Sequence, residues 1–157
     1  MGEWKHRRIM DLFFAVCKEQ GSKDALILSG ERLTYEELFE RTQKVASGLL
    51  ELGVKKDEKV AVLGPNIMPW PLTELACALI GAVCVPVNMM HRLTELEYTL
   101  RQSDVTTLVM IDRYMTADFL EMIYEIAPEF KKGKKGELQS KKLPLLRNLI
   151  TLTDPPW

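Results

Sequence analysis

Just past the β-rich run "AVCVPV" the chain reads "NMMHRLTELEY", and the polar pair His91 and Arg92 stands where a strand end would present it to a ligand. An imidazole beside a guanidinium suits a phosphate or a carboxylate, because both groups donate charge-assisted hydrogen bonds to such oxygens. Arg113, behind the later run "TTLVMI", has the same suitability. A plainer reading stands beside this one: His91 is an exposed loop side chain, and Arg92 pairs with a carboxylate such as Glu95. Met89 and Met90 would line an apolar acyl pocket, or fill gaps in a core as methionine commonly does.

Other chemistries find no footing in the sequence. No G-x-G-x-x-G or G-x-x-x-x-G-K-[ST] follows any apolar run, and no G-x-S-x-G elbow occurs. The two histidines, His6 and His91, have no carboxylate or cysteine cluster at metal spacing around them. No catalytic residue and no metal ligand is therefore assigned. The lysine-rich run "KKGKKGELQSKK", 131–142, reads as a basic surface loop; without interleaved aromatic residues it does not indicate nucleic acid.

The 157 residues, 46% hydrophobic with a formal charge of -1, fit one globular domain with a sizeable core. Cys17, Cys77 and Cys84 are an odd number without C-x-x-C spacing, which points to a reduced, cytoplasmic setting with thiols acting as small hydrophobes. The uncharged run Leu75 to Met90 is shorter than the roughly 18–20 residues that cross a bilayer, and Gly81, Pro86 and Asn88 interrupt it. It divides at Gly81 into the end of a helix and a strand expected to be buried on both faces. The N-terminal stretch places Ile9, Leu12, Phe13 and Val16 at helical spacing and contains Asp11, so an amphipathic helix is expected rather than a signal peptide.

These candidate residues need a scaffold, and the pattern supplies one. "DALIL" is a short strand turning at Ser29-Gly30. A helix follows, opened by the capping box Thr34-x-x-Glu37, carrying Tyr35, Leu38, Thr42, Val45, Leu49 and Leu52 on one face and closed by Gly53. "EKVAVL" is a buried strand, followed by a helix with Pro69 and Pro71 in its first turn and Asn66 as its expected cap. After "AVCVPV" come a helix with an expected capping box Thr94-x-x-Glu97, the strand "TTLVMI", a helix expected to be capped by Thr116, and a last strand in "LRNLITL". Strands alternating with helices predict an α/β fold with a mainly parallel sheet. Ligands of such sheets sit outside the carboxyl ends of the strands, which selects the turns Gly64-Pro65-Asn66, Asn88 to Arg92 and Asp112-Arg113-Tyr114.

The order of these segments resembles the N-terminal part of the adenylate-forming superfamily of acyl-CoA synthetases, luciferases and peptide-synthetase adenylation domains. "LTYEEL", Leu33 to Leu38, matches its L-[ST]-Y-x-E-L segment; "ALIGAVCVPVN", Ala78 to Asn88, matches its L-x-x-G-A-x-x-V-P-[LIV]-[ND] segment apart from Ala78 at the leucine. The tail resembles medium- or long-chain fatty acyl-CoA synthetases. Met89 departs from the proline that many relatives carry there.

The resemblance implies a single incomplete domain, 1–157, the N-terminal subdomain of an AMP-binding synthetase. The complete enzyme would join a fatty acid to CoA with ATP and Mg, releasing AMP and pyrophosphate. The Ser/Thr/Gly-rich phosphate loop ending in Pro-Lys and the C-terminal lysine do not occur in these residues, so the fragment is expected to be inactive alone and to bind none of these cofactors alone. The resemblance further implies CoA contacts at Gly81 and Arg113, with Asn88, His91 and Arg92 facing the substrate; for Gly81 a helix C-cap is the alternative. Exposed surface of the missing part would favour self-association. The rival reading is a stand-alone, non-catalytic binding or scaffolding module of the same fold.

Overall fold

The computed structural model describes residues 8–28, 30–133 and 138–152. His6, Ser29, Trp157 and the middle of the lysine-rich run lie outside the described residues. In chain order the described elements are α1 (Ile9–Gln20), β1 (Asp24–Leu28), β2 (Glu31–Thr34), α2 (Tyr35–Glu51), β3 (Lys59–Leu63), α3 (Pro69–Ile80) and β4 (Val83–Pro86). They continue with α4 (Leu93–Gln102), β5 (Val105–Met110), β6 (Arg113–Tyr114), β7 (Ala117–Asp118), α5 (Phe119–Ile126), a 3-10 turn (Pro128–Lys132) and β8 (Asn148–Thr151).

The central sheet has the order β4-β3-β5-β8, and every neighbouring pair is parallel. Side chains alternate across it as a pleated strand requires. Leu108 and Met110 of β5 join Leu96 and Leu100 of α4 and Phe119, Ile123 and Ile126 of α5 on one face. Val109, between them in sequence, packs with Ala46 and Leu49 of α2 and Ala76 and Cys77 of α3 on the other. The result is a three-layer α/β sandwich with a core on each face of the sheet. No described helix is long and apolar enough to cross a membrane.

The α2 start forms as expected. Thr34 Oγ1 accepts the Glu37 amide at 3.2 Å, and the Glu37 carboxylate accepts the Thr34 amide at 2.8 Å. Gly53 adopts φ +79° just past its end. Pro69 opens α3, with Pro71 in the same first turn, where missing amide hydrogens cost nothing.

Other boundaries differ from the sequence expectation, each for a local reason. The Thr94-x-x-Glu97 box does not form. Helix α4 begins at Leu93 after Arg92, whose amide donates to Glu95 at 3.1 Å, and this start places Leu93, Leu96 and Leu100 together against the core. Thr116 does not cap α5, because Arg113–Tyr114 and Ala117–Asp118 pair as a small hairpin; Asp118 is the cap and accepts the Glu121 amide at 2.9 Å. Asn66 does not cap α3, which starts after Met68 in helical conformation. Strand β4 is an edge strand with Val83 and Pro86 exposed, so it is not buried on both faces; a proline without an N–H is tolerated at an edge. In α1 the stripe is shifted: Ile9 and Leu12 are exposed, Met10 is buried, and the rings of Phe13 and Phe14 meet Phe39 at 6.1 and 5.3 Å. The residues before α2 form the antiparallel hairpin β1–β2, whose second strand, Glu31–Thr34, the sequence does not predict.

Candidate functional site

In a parallel sheet all strands deliver their following loops to one end, and here three such loops lie side by side. Leu63 of β3 pairs with Met110 of β5, Val62 pairs with Pro86 of β4, and the Ile111 amide still donates to Leu63 O at 3.0 Å. The turn Gly64-Pro65-Asn66 therefore sits between the Asn88–Arg92 loop and the Asp112–Tyr114 segment. The two outer loops are separated by two strand spacings, about 10 Å.

Each loop is shaped by its own hydrogen bonds. Asn88 Oδ1 accepts the Met90 amide at 2.9 Å and Asn88 O accepts the His91 amide at 3.1 Å, a turn that swings the chain from β4 into α4. His91 is half-buried, with Nδ1 3.5 Å from Thr99 Oγ1. Arg92 is exposed; what meets Glu95 is its backbone amide, and its guanidinium has no ion pair among the described residues. Asp112 Oδ1 accepts the Arg113 amide at 2.8 Å, and the exposed Arg113 guanidinium pairs with Asp118 at 2.9 Å. The Gly64 turn closes on itself through Ile67 N to Pro65 O at 2.8 Å.

Half-buried Trp70, Met89 and Tyr114 pack against the core beneath these loops. Met89 is a residue the sequence offers as pocket lining or core filler, whereas Tyr114 enters there only as part of a turn and Trp70 not at all. The available signal for them is their place three to seven residues beyond the ends of β3, β4 and β5. The carboxyl end thus carries the exposed Arg92 and Arg113, the half-buried His91 and the half-buried apolar side chains of Trp70, Met89 and Tyr114. Such an arrangement can accept an anionic group attached to an apolar body.

Gly81 is elsewhere. It follows α3 and precedes β4, level with the amino ends of β3 and β5. Its φ of +76° and its amide bond to Cys77 O make it the left-handed C-cap of α3. Its carbonyl accepts the Asp57 amide at 2.8 Å, and a Cβ there would meet Lys56 Cγ at 3.0 Å. The structure brings Asn88, His91, Arg92 and Arg113 to one end of the sheet and does not bring Gly81 to them.

Among the described residues no group of three or more His, Cys, Asp or Glu side chains could hold a metal ion. Asp112 and Asp118 at the site are already engaged with the Arg113 amide and guanidinium.

Comparison with known proteins agrees with this architecture. The family model described as AMP-binding enzyme matches residues 13–153. The chain is 34% identical over 135 residues to the mitochondrial medium-chain acyl-CoA ligase ACSF2 of Mus musculus, covering 85% of this chain and 22% of the mouse protein. The Homo sapiens protein of that name is 35% identical over 135 residues, again with 85% and 22% covered. Among solved structures, the inhibitor-bound N-terminal domain of FACL13 from Mycobacterium tuberculosis superposes with a TM-score of 0.76 at 20% identity, covering 93% of this chain and 33% of that one. At that identity the superposition speaks for the fold. The chain spans about a quarter of the length of the curated relatives it matches, 22% for the mouse protein.

Proposed function

The chain belongs to the AMP-binding enzyme family, and on that premise we propose that it is one wall of an ATP-dependent fatty acyl-CoA ligase and does not adenylate an acid by itself. The observation that supports this reading is the carboxyl end of the sheet, to which the loops after β4 and β5 bring Arg92, His91 and Arg113 along with half-buried Met89 and Tyr114, with Trp70 at the start of α3. A fatty acyl chain would lie over Trp70, Met89 and Tyr114, with its polar end toward the rim. That placement uses the chemistry present: dispersion and burial for the chain, charge-assisted hydrogen bonds for the anion.

Forming an acyl-adenylate requires donors and a cation around the α-phosphate as charge develops there. ATP and Mg would have to be held by residues beyond those of this chain; CoA delivers the thiol that accepts the acyl group in the complete enzyme. The acyl-CoA ligase names of the relatives support a fatty acid and CoA as the substrates of that complete protein. A cytoplasmic location belongs to the same proposal, supported by the odd cysteine number without paired spacing.

Two measurements test the reading together. The purified chain, given ATP, magnesium and a medium-chain fatty acid, should show no fatty-acid-dependent exchange between pyrophosphate and ATP. A medium-chain acyl-CoA should bind saturably and several-fold more weakly after Arg92→Ala. Exchange above background would overturn the claim of inactivity; binding unaffected by Arg92→Ala would overturn the assignment of the rim.

A further inference from the structure

The loop between β4 and α4 pins the backbone of His91 from both sides and leaves the ring to a single contact. Before it, Asn88 Oδ1 and Asn88 O accept the Met90 and His91 amides at 2.9 and 3.1 Å. After it, the Arg92 amide donates to Glu95 at 3.1 Å, and Arg92 O accepts the Leu96 amide at 2.9 Å. What stays free is the side chain, whose terminal torsion is broad and roughly two-fold, so that the imidazole could turn over. The half-buried ring meets the half-buried Thr99 of α4, with Nδ1 3.5 Å from Thr99 Oγ1, a long hydrogen bond.

The direction of that bond follows from what else Thr99 could do. A threonine inside a helix can turn its hydroxyl back onto the carbonyl four residues earlier. Thr73 does so in α3, donating to Pro69 O at 2.8 Å. Thr99 makes no such bond, and among the described residues the imidazole is the one partner of its hydroxyl. The hydroxyl proton therefore goes to Nδ1, and a ring nitrogen that accepts carries no hydrogen of its own. In the neutral imidazole the hydrogen is then on Nε2. Thr99 is likewise the one described residue hydrogen-bonded to the ring, which leaves Nε2 for a ligand.

We propose that Thr99 is a positioning residue for the carboxyl-end site: its hydroxyl holds His91 in the Nε2–H tautomer and fixes the ring, so that a neutral N–H is offered beside Arg92 to an anionic oxygen. The inference rests on the acyl-CoA reading of that site. Carboxylate and phosphate oxygens accept hydrogen bonds and do not donate them, so an Nε2–H attracts such a ligand whereas a bare Nε2 lone pair repels it. The tautomer thus decides the sign of the contribution His91 makes, and Thr99, which acts through His91, decides the tautomer.

The chain contains two histidines, His6 and His91, so imidazole nitrogen NMR of the labelled protein gives two rings, and His6→Gln assigns them. At a pH high enough that the shifts no longer change, His91 should carry hydrogen on Nε2. Its Nδ1 should be displaced to lower frequency than in a histidine peptide, because it accepts a hydrogen bond. Thr99→Val, which exchanges the hydroxyl for a methyl, should remove that displacement and raise the Nδ1–H population; Thr99→Ser should restore the wild-type spectrum. Affinity for a medium-chain acyl-CoA should fall several-fold in Thr99→Val and recover in Thr99→Ser. Hydrogen on Nδ1 in the wild type, a spectrum unmoved by Thr99→Val, or unchanged affinity in that variant would each overturn the proposal. Failure of the acyl-CoA reading is distinguishable: Arg92→Ala then has no effect on affinity either, whereas failure of the positioning role alone leaves the Arg92→Ala effect intact. The wild-type spectrum decides the tautomer even where Thr99→Val does not fold.

Discussion

Gly81 and Arg113 stand at opposite ends of the parallel sheet, Gly81 in the turn that leads into β4 and Arg113 beyond the end of β5. The six residues of β5 put about 17 Å between those ends. A single anionic group cannot touch both, so the CoA contacts that the family resemblance placed on the two residues divide into two separate questions.

The Gly81 question has a conformational answer that a substitution can read. Its φ of +76° is left-handed, and a Cβ would press on Lys56 Cγ at 3.0 Å. Gly81→Ala should cost about 1–2 kcal/mol in urea denaturation, mostly from the backbone, because the Lys56 side chain can yield. Acyl-CoA binding by the folded fraction should be unchanged. A loss of binding at retained stability would return Gly81 to the ligand.

Glu58 carries a pH-dependent contribution. Burial raises the pKa of its carboxyl, but the Arg147 guanidinium and the Lys55 amide at 2.8 Å outweigh this and hold it below the ordinary value. A depressed carboxyl stabilises the fold above its unfolded pKa and loses that contribution as pH falls through its lower folded one. Glu58→Gln should therefore cost about 1 kcal/mol near neutral pH and progressively less below the ordinary glutamate value of 4.5. Urea melts of both proteins at several pH values give the difference; a constant gap across the series contradicts the ion-pair account.

Legibility followed the range of the interactions. The α2 capping box and the alternation of strands and helices depend on residues three or four apart or on period, and Thr34, Glu37, Val109 and Leu108 took the places their spacing demanded. Where two local patterns competed, tertiary burial chose: Leu93 is drawn against the core with Leu96 and Leu100, and the Thr94 box is given up. Hairpin β6–β7 was hidden because two-residue strands have no period to detect. The three loops stand beyond the strand ends that the alternation of elements implies, whereas the packing of Trp70 and Tyr114 against the core depends on contacts between elements.

An apolar groove of about 500 Å³ runs between α2, α3 and the end of β8, with Leu49, Leu52, Leu72, Ile150 and Leu152 among its walls. Accessible apolar surface of this kind binds anilinonaphthalene sulfonate without unfolding. Dye fluorescence should rise on adding native chain and fall after Leu52→Glu, which puts a charge at the groove wall. Sedimentation over a range of concentrations then reads the self-association expected from the sequence. Absence of dye binding by the folded chain would show that the groove is closed in solution and remove the reason to expect association through it.

Arg113 and Asp118 separate a stabilising role from a ligand role within one ion pair. The pair is 2.9 Å long, but the arginine side chain is 75% exposed, so the ion pair adds little. Asp118 has a second task, accepting the Glu121 amide at 2.9 Å as the cap of α5. Asp118→Ala should therefore cost about 1 kcal/mol, whereas Arg113→Ala should change stability by less than about 0.5 kcal/mol. If Arg113 meets CoA, its replacement in a complete relative at the matching position should raise the CoA requirement of the thioester step and leave pyrophosphate exchange unchanged. Equal losses in both half-reactions would mean that Arg113 acts on the adenylate step or on the shape of the loop. Because the stability cost is expected at Asp118 and not at Arg113, a CoA-specific defect in the arginine variant could not be attributed to unfolding.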